Sequence, residues 1–280
     1  MTLDRRTLIG SLATMGALSP FLALESAMAQ VTADPAAKAA DAHMKLMSVP
    51  GLVMHGNEQV VMLLYPGFTA LDLVGPHYFF ASMMGARVHL VSTGADLAPV
   101  PSDLGLAIQP TMTLAQAPRD PTVVFVPGGT TGTLDAAEDP ALRRYLRDAS
   151  ARAQTVVSVC TGALVLGAAG LLRGRRATSH WVARDTLAHF GATPVDARVV
   201  TDGKIVTGAG VSAGLDLGVA MVAQLRGRPY AEAIMLQAEY HPEPPFPGGT
   251  PTTTPAPIAG PMRDMFAPFV DRALRLPVDP

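Results

Sequence analysis

The chain has 280 residues, 49% of them hydrophobic and 16% charged, which is enough apolar material for one large domain or two small ones. Its net charge of −2 and pI near 6.4 offer no basic surface for nucleic acid. A single cysteine excludes an intramolecular disulfide and a thiolate-based zinc centre.

The N-terminus reads as an export signal. Arg5 and Arg6 precede the apolar run LIGSLATMGALSPFLAL and the small-residue pattern SAMAQ. That is a charged region, a hydrophobic region and an A-x-A cleavage site after Ala29. The arginine pair favours the twin-arginine route and predicts a periplasmic mature chain beginning at Gln30. An uncleaved membrane anchor is the alternative, and Pro20 and the shortness of the apolar run count against a stable span. Residues 30–56 are Ala-rich and polar and read as an arm or linker, with a short helix over 36–47.

Apolar strands and helices then alternate. QVVMLLY (59–65) is a buried strand stopped by Pro66–Gly67. A helix is expected from Gly75–Pro76 to about Met84, and RVHLVS (87–92) is a second strand. Residues 97–114 carry Pro and Gly among short alternating runs and read as an irregular strand pair. TVVFVPGG (122–129) is a core strand that ends on a diglycine. DPALRRYLRDASARA is a helix with Asp139 as N-cap and Pro140 in its first turn.

Thr155–Val159 is a strand that runs straight into Cys160, and a small-residue helix starts at Thr161–Gly162. WVARDTLAHFG is expected as a helix closed by Gly191. ARVVTDGKIVTGAG reads as a hairpin with Asp202–Gly203 at its turn. SAGLDLGVAMVAQLRG and PYAEAIMLQAEYH are further helices. Residues 246–280 are proline-rich and read as a tail, with periodicity returning weakly in MRDMFAPFVDRAL. Strands apolar on both faces, alternating with helices, predict an α/β three-layer sandwich around a mostly parallel sheet. The predicted domain spans 57–245.

Functional groups in such folds gather beyond the carboxyl ends of the strands. A cysteine at a strand-to-helix turn, between the small residues Ser158 and Gly162, is held in strained geometry and presented to a site. The following helix aims its positive end at Cys160, which predicts a lowered thiol pKa and an accessible nucleophile. A buried filler cysteine is the alternative. His77, His180, His189 and His241 lack paired ligand spacing, so no metal is expected. GAGVSAG follows no dinucleotide pattern, and no cofactor is expected.

YPGFTALDLVGP, VPGG, SVCTGALVLGAAGLLRGRRATSHW and VVTDGKIVTGAGVSAGLDL stand in that order between about Gln59 and Phe246. Together they resemble the ThiJ/PfpI superfamily, of flavodoxin-like and class I glutamine-amidotransferase-like fold, and within it the isonitrile hydratases. The resemblance implies a small-molecule substrate, an isonitrile hydrated to an N-substituted formamide through a covalent thioimidate on Cys160. It implies Asp72 as the acidic residue facing the cysteine and carrying the proton, and Thr161 as the neighbour that positions substrate or water. Gly128 and Gly129 would supply an anion or oxyanion nest, Val211 an apolar wall, and the assembly would be a homodimer. Protease-like members place histidine directly after the cysteine. Here Thr161 holds that place, so a Cys-His-acid triad is not implied. His180 reads either as a group approaching the site or as a structural histidine. The alternative functions are an exported ligand-binding or redox-sensing protein and another hydratase of glyoxalase type. A transcription regulator of this superfamily needs a helix-turn-helix module, which the short proline-rich stretch after Phe246 does not resemble.

Overall fold

The computed structural model describes residues 34–280. The expected signal peptide, with Arg5, Arg6 and the site after Ala29, lies outside the described residues. One unit ends at Ser48 and contains α1 (Pro35–Met47), N-capped by Asp34, whose Oδ1 accepts the Ala36 N–H at 3.0 Å. No residue of α1 is buried.

The second unit runs from Val49 to Pro280. Its centre is a seven-stranded sheet made of β1 (Gln59–Leu64), β2 (Arg87–Ser92), β3 (Met112–Thr113), β4 (Val123–Val126), β5 (Thr155–Val159), β6 (Val199–Asp202) and β7 (Ile205–Gly208). The spatial order is β6-β7-β5-β4-β1-β2-β3. All neighbours are parallel except β6 and β7, which form the expected hairpin. Every residue of β4 and β5 is buried, and all of β1 after Gln59. Strands covered on both faces must be apolar on both faces, which explains the unbroken hydrophobic runs.

The helices of this unit are α2 (Ala70–Ala81), α3 (Thr131–Glu138), α4 (Pro140–Arg152), α5 (Gly162–Ala168), α6 (Ala213–Arg226), α7 (Arg228–Gln237), α8 (Ala256–Met265) and α9 (Ala267–Ala273). α2 packs on α6 and α6 on α7, while α3 and α4 pack on α5. The α2–α6 approach requires a small residue at Gly218, where an added Cβ would lie 2.6 Å from the Phe79 ring. The result is the expected mostly parallel α/β sandwich.

Several local expectations change. α2 begins at Ala70 and carries Pro76 inside it, so the proline does not start the helix. This earlier start places Asp72 in the first turn. The region 97–114 resolves into an antiparallel pair, Val100–Pro101 with Ala107–Ile108, and the edge strand β3. The segment after Trp181 forms a 3-10 helix over Asp185–Phe190 rather than an α-helix, closed by Gly191 at φ 73°. In the β6–β7 hairpin Asp202 pairs with Ile205, which moves the turn to Gly203–Lys204.

The compact unit extends past the expected 57–245 at both ends. On the N-terminal side, Arg226 is fully buried and clamps residues 53–58 to α6. Its Nε donates to Glu58 Oε1 at 2.6 Å and its Nη2 to Oε2, while Nη1 donates to the Met54 carbonyl at 3.0 Å. On the C-terminal side the proline-rich stretch folds back over α3, α4 and α5. Arg272 pairs with Asp135 at 2.6 Å and Glu138 at 2.7 Å. Asp279 accepts from Arg143 at 3.1 Å and from Arg147, and its N–H donates to the Ala168 carbonyl at 3.0 Å.

Candidate active site

β1, β4 and β5 lie side by side, so the loops at their carboxyl ends meet. The β5 loop is only two residues, Cys160 and Thr161. Cys160 has φ 58°, a left-handed conformation that costs a non-glycine residue about 1–3 kcal/mol. Its surroundings impose it. The Cys160 N–H donates to the Ala209 carbonyl at 2.7 Å, and its carbonyl accepts from Ser179 Oγ at 2.8 Å. Gly162 follows because a Cβ there would stand 2.5 Å from the Val126 carbonyl oxygen.

Asp72 enters from the first turn of α2 and is fully buried. Its Oδ2 accepts the Gly128 N–H at 2.9 Å, and its Oδ1 has no hydrogen-bond partner in regular geometry. Gly128 fits between the two reactive groups. A Cβ there would lie 2.7 Å from Asp72 Oδ2 and 2.8 Å from Cys160 Cβ. Asp72 and the Cys160 thiol face each other closely enough for each to perturb the other.

Electrostatics follow from burial. Desolvation pushes the Asp72 carboxyl from 3.8 up to about 7, reinforced by the negative charge of Asp103 and opposed by hydrogen bonds from Cys160 and Gly128. Cys160, 4% exposed, is also pushed well up, first by desolvation and then by the facing Asp72. The Thr161 N–H and side chain pull it the other way. This corrects the expectation of a low-pKa, accessible thiol. α5 has only seven residues, and what its N-terminus offers is outweighed by loss of water and by a carboxylate neighbour. Two acids that share one dry site resist holding two negative charges, so the pair retains a proton.

The Gly128–Gly129 loop also departs from expectation. The Gly128 N–H is spent on Asp72, and the Gly129 N–H donates to Thr161 Oγ1 at 2.9 Å. Neither amide is free to receive an oxyanion, so the loop orients Asp72 and Thr161 instead. Thr161 Oγ1 donates back to the Gly129 carbonyl at 2.7 Å and lies 3.1 Å from Thr133 Oγ1, which is 3.1 Å from Tyr65 Oη. The Thr161 hydroxyl is therefore a strut of the loop as well as a neighbour of the sulfur, which its amide also serves.

Above the sulfur is a cavity of about 230 Å³. Cys160, Thr161, Gly129, His180 and Val211 all line it, as do Thr69, Asp103, Leu104, Val182, Phe266 and Phe269. Val211 thus stands in the wall. Phe68, fully buried, does not line the cavity and pairs its backbone with Ser102 and Gly129. His180 is also wall. Burial lowers it from 6.5 to about 4, and its ring packs against Trp181 at 5.8 Å and Phe266 at 6.1 Å. Its hydrogen-bonding contact is the Val182 N–H at 3.5 Å, and it makes none with Cys160. A neutral imidazole without a bond to the sulfur is not the partner of a Cys–His pair.

Asp103, Phe266 and Phe269 are site residues that sequence reasoning missed. Asp103 lies in the irregular 97–114 stretch, and the two phenylalanines lie in the segment read as a tail. A second cavity, about 270 Å³, is walled by Trp181 and residues of the segment 249–262 and contains no titratable side chain. The chemistry belongs to the cavity over Cys160. Among the described residues no group of His, Cys, Asp and Glu could hold a metal ion, and no helix is long and apolar enough to cross a membrane.

Comparison with known proteins adds four findings. The model of the DJ-1/PfpI family matches residues 58–224. An isonitrile hydratase of Pseudomonas putida is 44% identical over 210 residues, 75% of this chain and 90% of that protein. The HTH-type transcriptional regulator CdhR of Pseudomonas aeruginosa is 32% identical over 59% of this chain and 50% of its own length. Among solved structures, a ThiJ/PfpI family protein from Pseudomonas syringae superposes with a TM-score of 0.78 at 52% identity, over 80% of this chain and 92% of that one.

Proposed function

The chain belongs to the DJ-1/PfpI family, and from that premise and the geometry of the site we propose that it is an isonitrile hydratase using Cys160 as nucleophile and Asp72 as proton carrier. The observation that carries the reading is the buried Cys160–Asp72 pair under a small, largely apolar cavity, with both neighbouring loop amides already occupied. Acyl transfer places charge on a carbonyl oxygen and needs donors aimed at it. An isonitrile instead needs a nucleophile and a proton at one carbon. It carries no hydrogen-bond donor, which suits the walls of Val182, Val211, Phe266 and Phe269.

The reactive state is the pair with one shared proton. As Cys160 Sγ bonds to the terminal carbon of R–N≡C, the thiol proton passes to Asp72 and from there to that carbon. This gives the thioimidate R–N=CH–S–Cys160. Water then adds to the carbon, the nitrogen gains a proton, and the C–S bond breaks. R–NH–CHO leaves and the sulfur–Asp72 pair recovers its proton, so one water is consumed per isonitrile. The Thr161 N–H supports the sulfur as it carries charge, in the first step and again as leaving group.

Purified protein should convert cyclohexyl isonitrile to the formamide. Cys160→Ala should abolish this, and Cys160→Ser should be nearly as poor because a hydroxyl is not ionised near neutrality. Full turnover by Cys160→Ala would end the covalent reading. The same proposal takes the working protein to be an exported homodimer. Lysine at both Arg5 and Arg6 should retain precursor in the cytoplasm, and light scattering should return twice the mass of one chain. Unchanged export or a monomer would refute those parts separately.

A further inference from the structure

The hydratase mechanism leaves Asp103, a carboxylate of the cavity wall, without a task. Asp103 is presented by the loop between Val100–Pro101 and Ala107–Ile108 and lines the cavity over Cys160. It is fixed on two sides. Its N–H donates to the Phe68 carbonyl at 2.9 Å, and its Oδ2 accepts from Thr69 Oγ1 at 2.5 Å. Thr69 in turn donates its N–H to the Gly128 carbonyl at 2.8 Å, so the loop that orients Asp72 also anchors the support of Asp103. The remaining oxygen, Oδ1, is buried and receives no hydrogen bond. A buried carboxylate oxygen held in place without a donor is costly and calls for one during function. An isonitrile has none to give. The second substrate, water, does.

We propose that Asp103 is the base of the hydrolytic half-reaction, holding the water that attacks the Cys160 thioimidate. This rests on the isonitrile hydratase reading. As the water oxygen bonds to the thioimidate carbon, one water proton passes to Asp103 Oδ1 and on to the imine nitrogen, giving R–NH–CH(OH)–S–Cys160. The C–S bond then breaks as the hydroxyl oxygen becomes the formamide carbonyl, and the hydroxyl proton passes through Asp72 to the sulfur. The division of labour follows from position. Asp72 faces the sulfur and serves the bonds to it, whereas Asp103 stands on the cavity wall and serves the incoming oxygen. Its charge is also one of the causes of the raised Asp72 pKa, so both carboxylates act on one field.

The test is intact-protein mass spectrometry during turnover of cyclohexyl isonitrile by wild type and Asp103→Asn. The variant should form the Cys160 adduct, heavier by one isonitrile, at close to the wild-type rate, and accumulate it to near one per chain. Its steady-state rate should fall about 10²–10⁴-fold, the usual contribution of a general base. Hydroxylamine, a stronger nucleophile than water that does not need the base, should release the adduct and restore consumption of isonitrile. A merely structural residue would not give that rescue. Asp103→Asn turning over like wild type, or failing to form the adduct while remaining folded, would overturn the proposal. If Asp103→Asn is unfolded, Thr69→Val takes its place: it loses only the anchor of Asp103, should accumulate less adduct, and overturns the proposal if it accumulates none. A wild type that forms neither adduct nor formamide refutes the hydratase reading itself, and the role of Asp103 with it.

Discussion

Replacing Asp72 by Asn separates the chemistry of the site from its stability and should move the two in opposite directions. Asp72 is fully buried, and its carboxyl is raised from 3.8 to about 7, chiefly by desolvation. Each pH unit of that rise is worth about 1.4 kcal/mol, so ionising Asp72 in place costs about 4 kcal/mol more than in water. The native carboxyl binds its proton more tightly than the unfolded one between those two values. The wild type therefore loses stability as pH rises from about 4 to about 7 and stays at the lower level above it. Asn keeps the shape and can accept the Gly128 N–H through its carbonyl oxygen, without a charge to bury. Its amide must face the sulfur, which offsets part of the gain. Urea denaturation should thus find Asp72→Asn more stable by about 2–4 kcal/mol at pH 8, with the difference vanishing near pH 3.5. Turnover should fall about 10²–10⁴-fold because an amide cannot relay a proton. Equal stability at both pH values, or a loss at pH 8, would refute the claim that Asp72 is a charge held against its preference.

Three further outcomes are expected, two at the same pair and one at Arg226. The pH profile of kcat/KM should rise through about 7, where the pair loses its first proton, and fall at higher pH as the raised thiol loses the second. A profile flat from pH 6 to 8 contradicts the shared-proton state. Iodoacetamide should label Cys160 slowly near neutrality and faster in Asp72→Asn, since burial and Asp72 both raise the thiol. A wild-type midpoint below about 8.5, the value of a free cysteine, contradicts that order. Arg226→Ala leaves Glu58 as a buried unpaired charge and should lower the unfolding free energy by about 3–5 kcal/mol in chemical denaturation. A loss below about 1 kcal/mol means that the pair does not anchor residues 53–58.

What the sequence reveals about this site depends on how local the cause is. The central strands are legible because burial on both faces forces runs such as VVMLL and TVVSV to be apolar. The turn at Cys160 is legible because only small neighbours permit it, and Gly162 has no room for a side chain. Direction of charge is not legible in the same way. The helix behind Cys160 suggests a thiolate, but how dry the site is and which carboxylate faces it are set by chain segments far away in sequence. The same holds for the Gly128 and Gly129 amides, whose partners Asp72 and Thr161 stand 56 and 32 residues away. Asp103 lies in a stretch whose alternation is too short to fix a register, and Arg226 reads as an ordinary basic residue at a helix end. Phe266 and Phe269 fall between prolines that break the periodicity from which a packed helix would be inferred.

Several unfavourable features meet where β1, β4 and β5 end: Cys160 at a positive φ, Asp72 without water, and carboxylate oxygens without donors. Such a cluster would relax if its loops could move apart. They are tied by main-chain bonds that bypass the reactive side chains. Gly67 donates to the Pro101 carbonyl at 2.8 Å, Thr69 to Gly128, Asp103 to Phe68, and Cys160 to Ala209. Each bond joins two different loops, so no single group can settle into a better geometry without breaking its neighbours' pairing. The C-terminal segment adds a wall that the central sheet alone does not supply. Its charged clamps lie on Asp135, Glu138, Arg143 and Arg147, away from the cavity, while Phe266 and Phe269 reach into it. A carbon electrophile that offers no hydrogen-bond donor must be positioned largely by shape, and a reactive pair that resists double ionisation must be kept dry. Rigid loops below and an aromatic wall from a separate segment meet both requirements, since the polar groups stay fixed while the apolar wall keeps bulk water out.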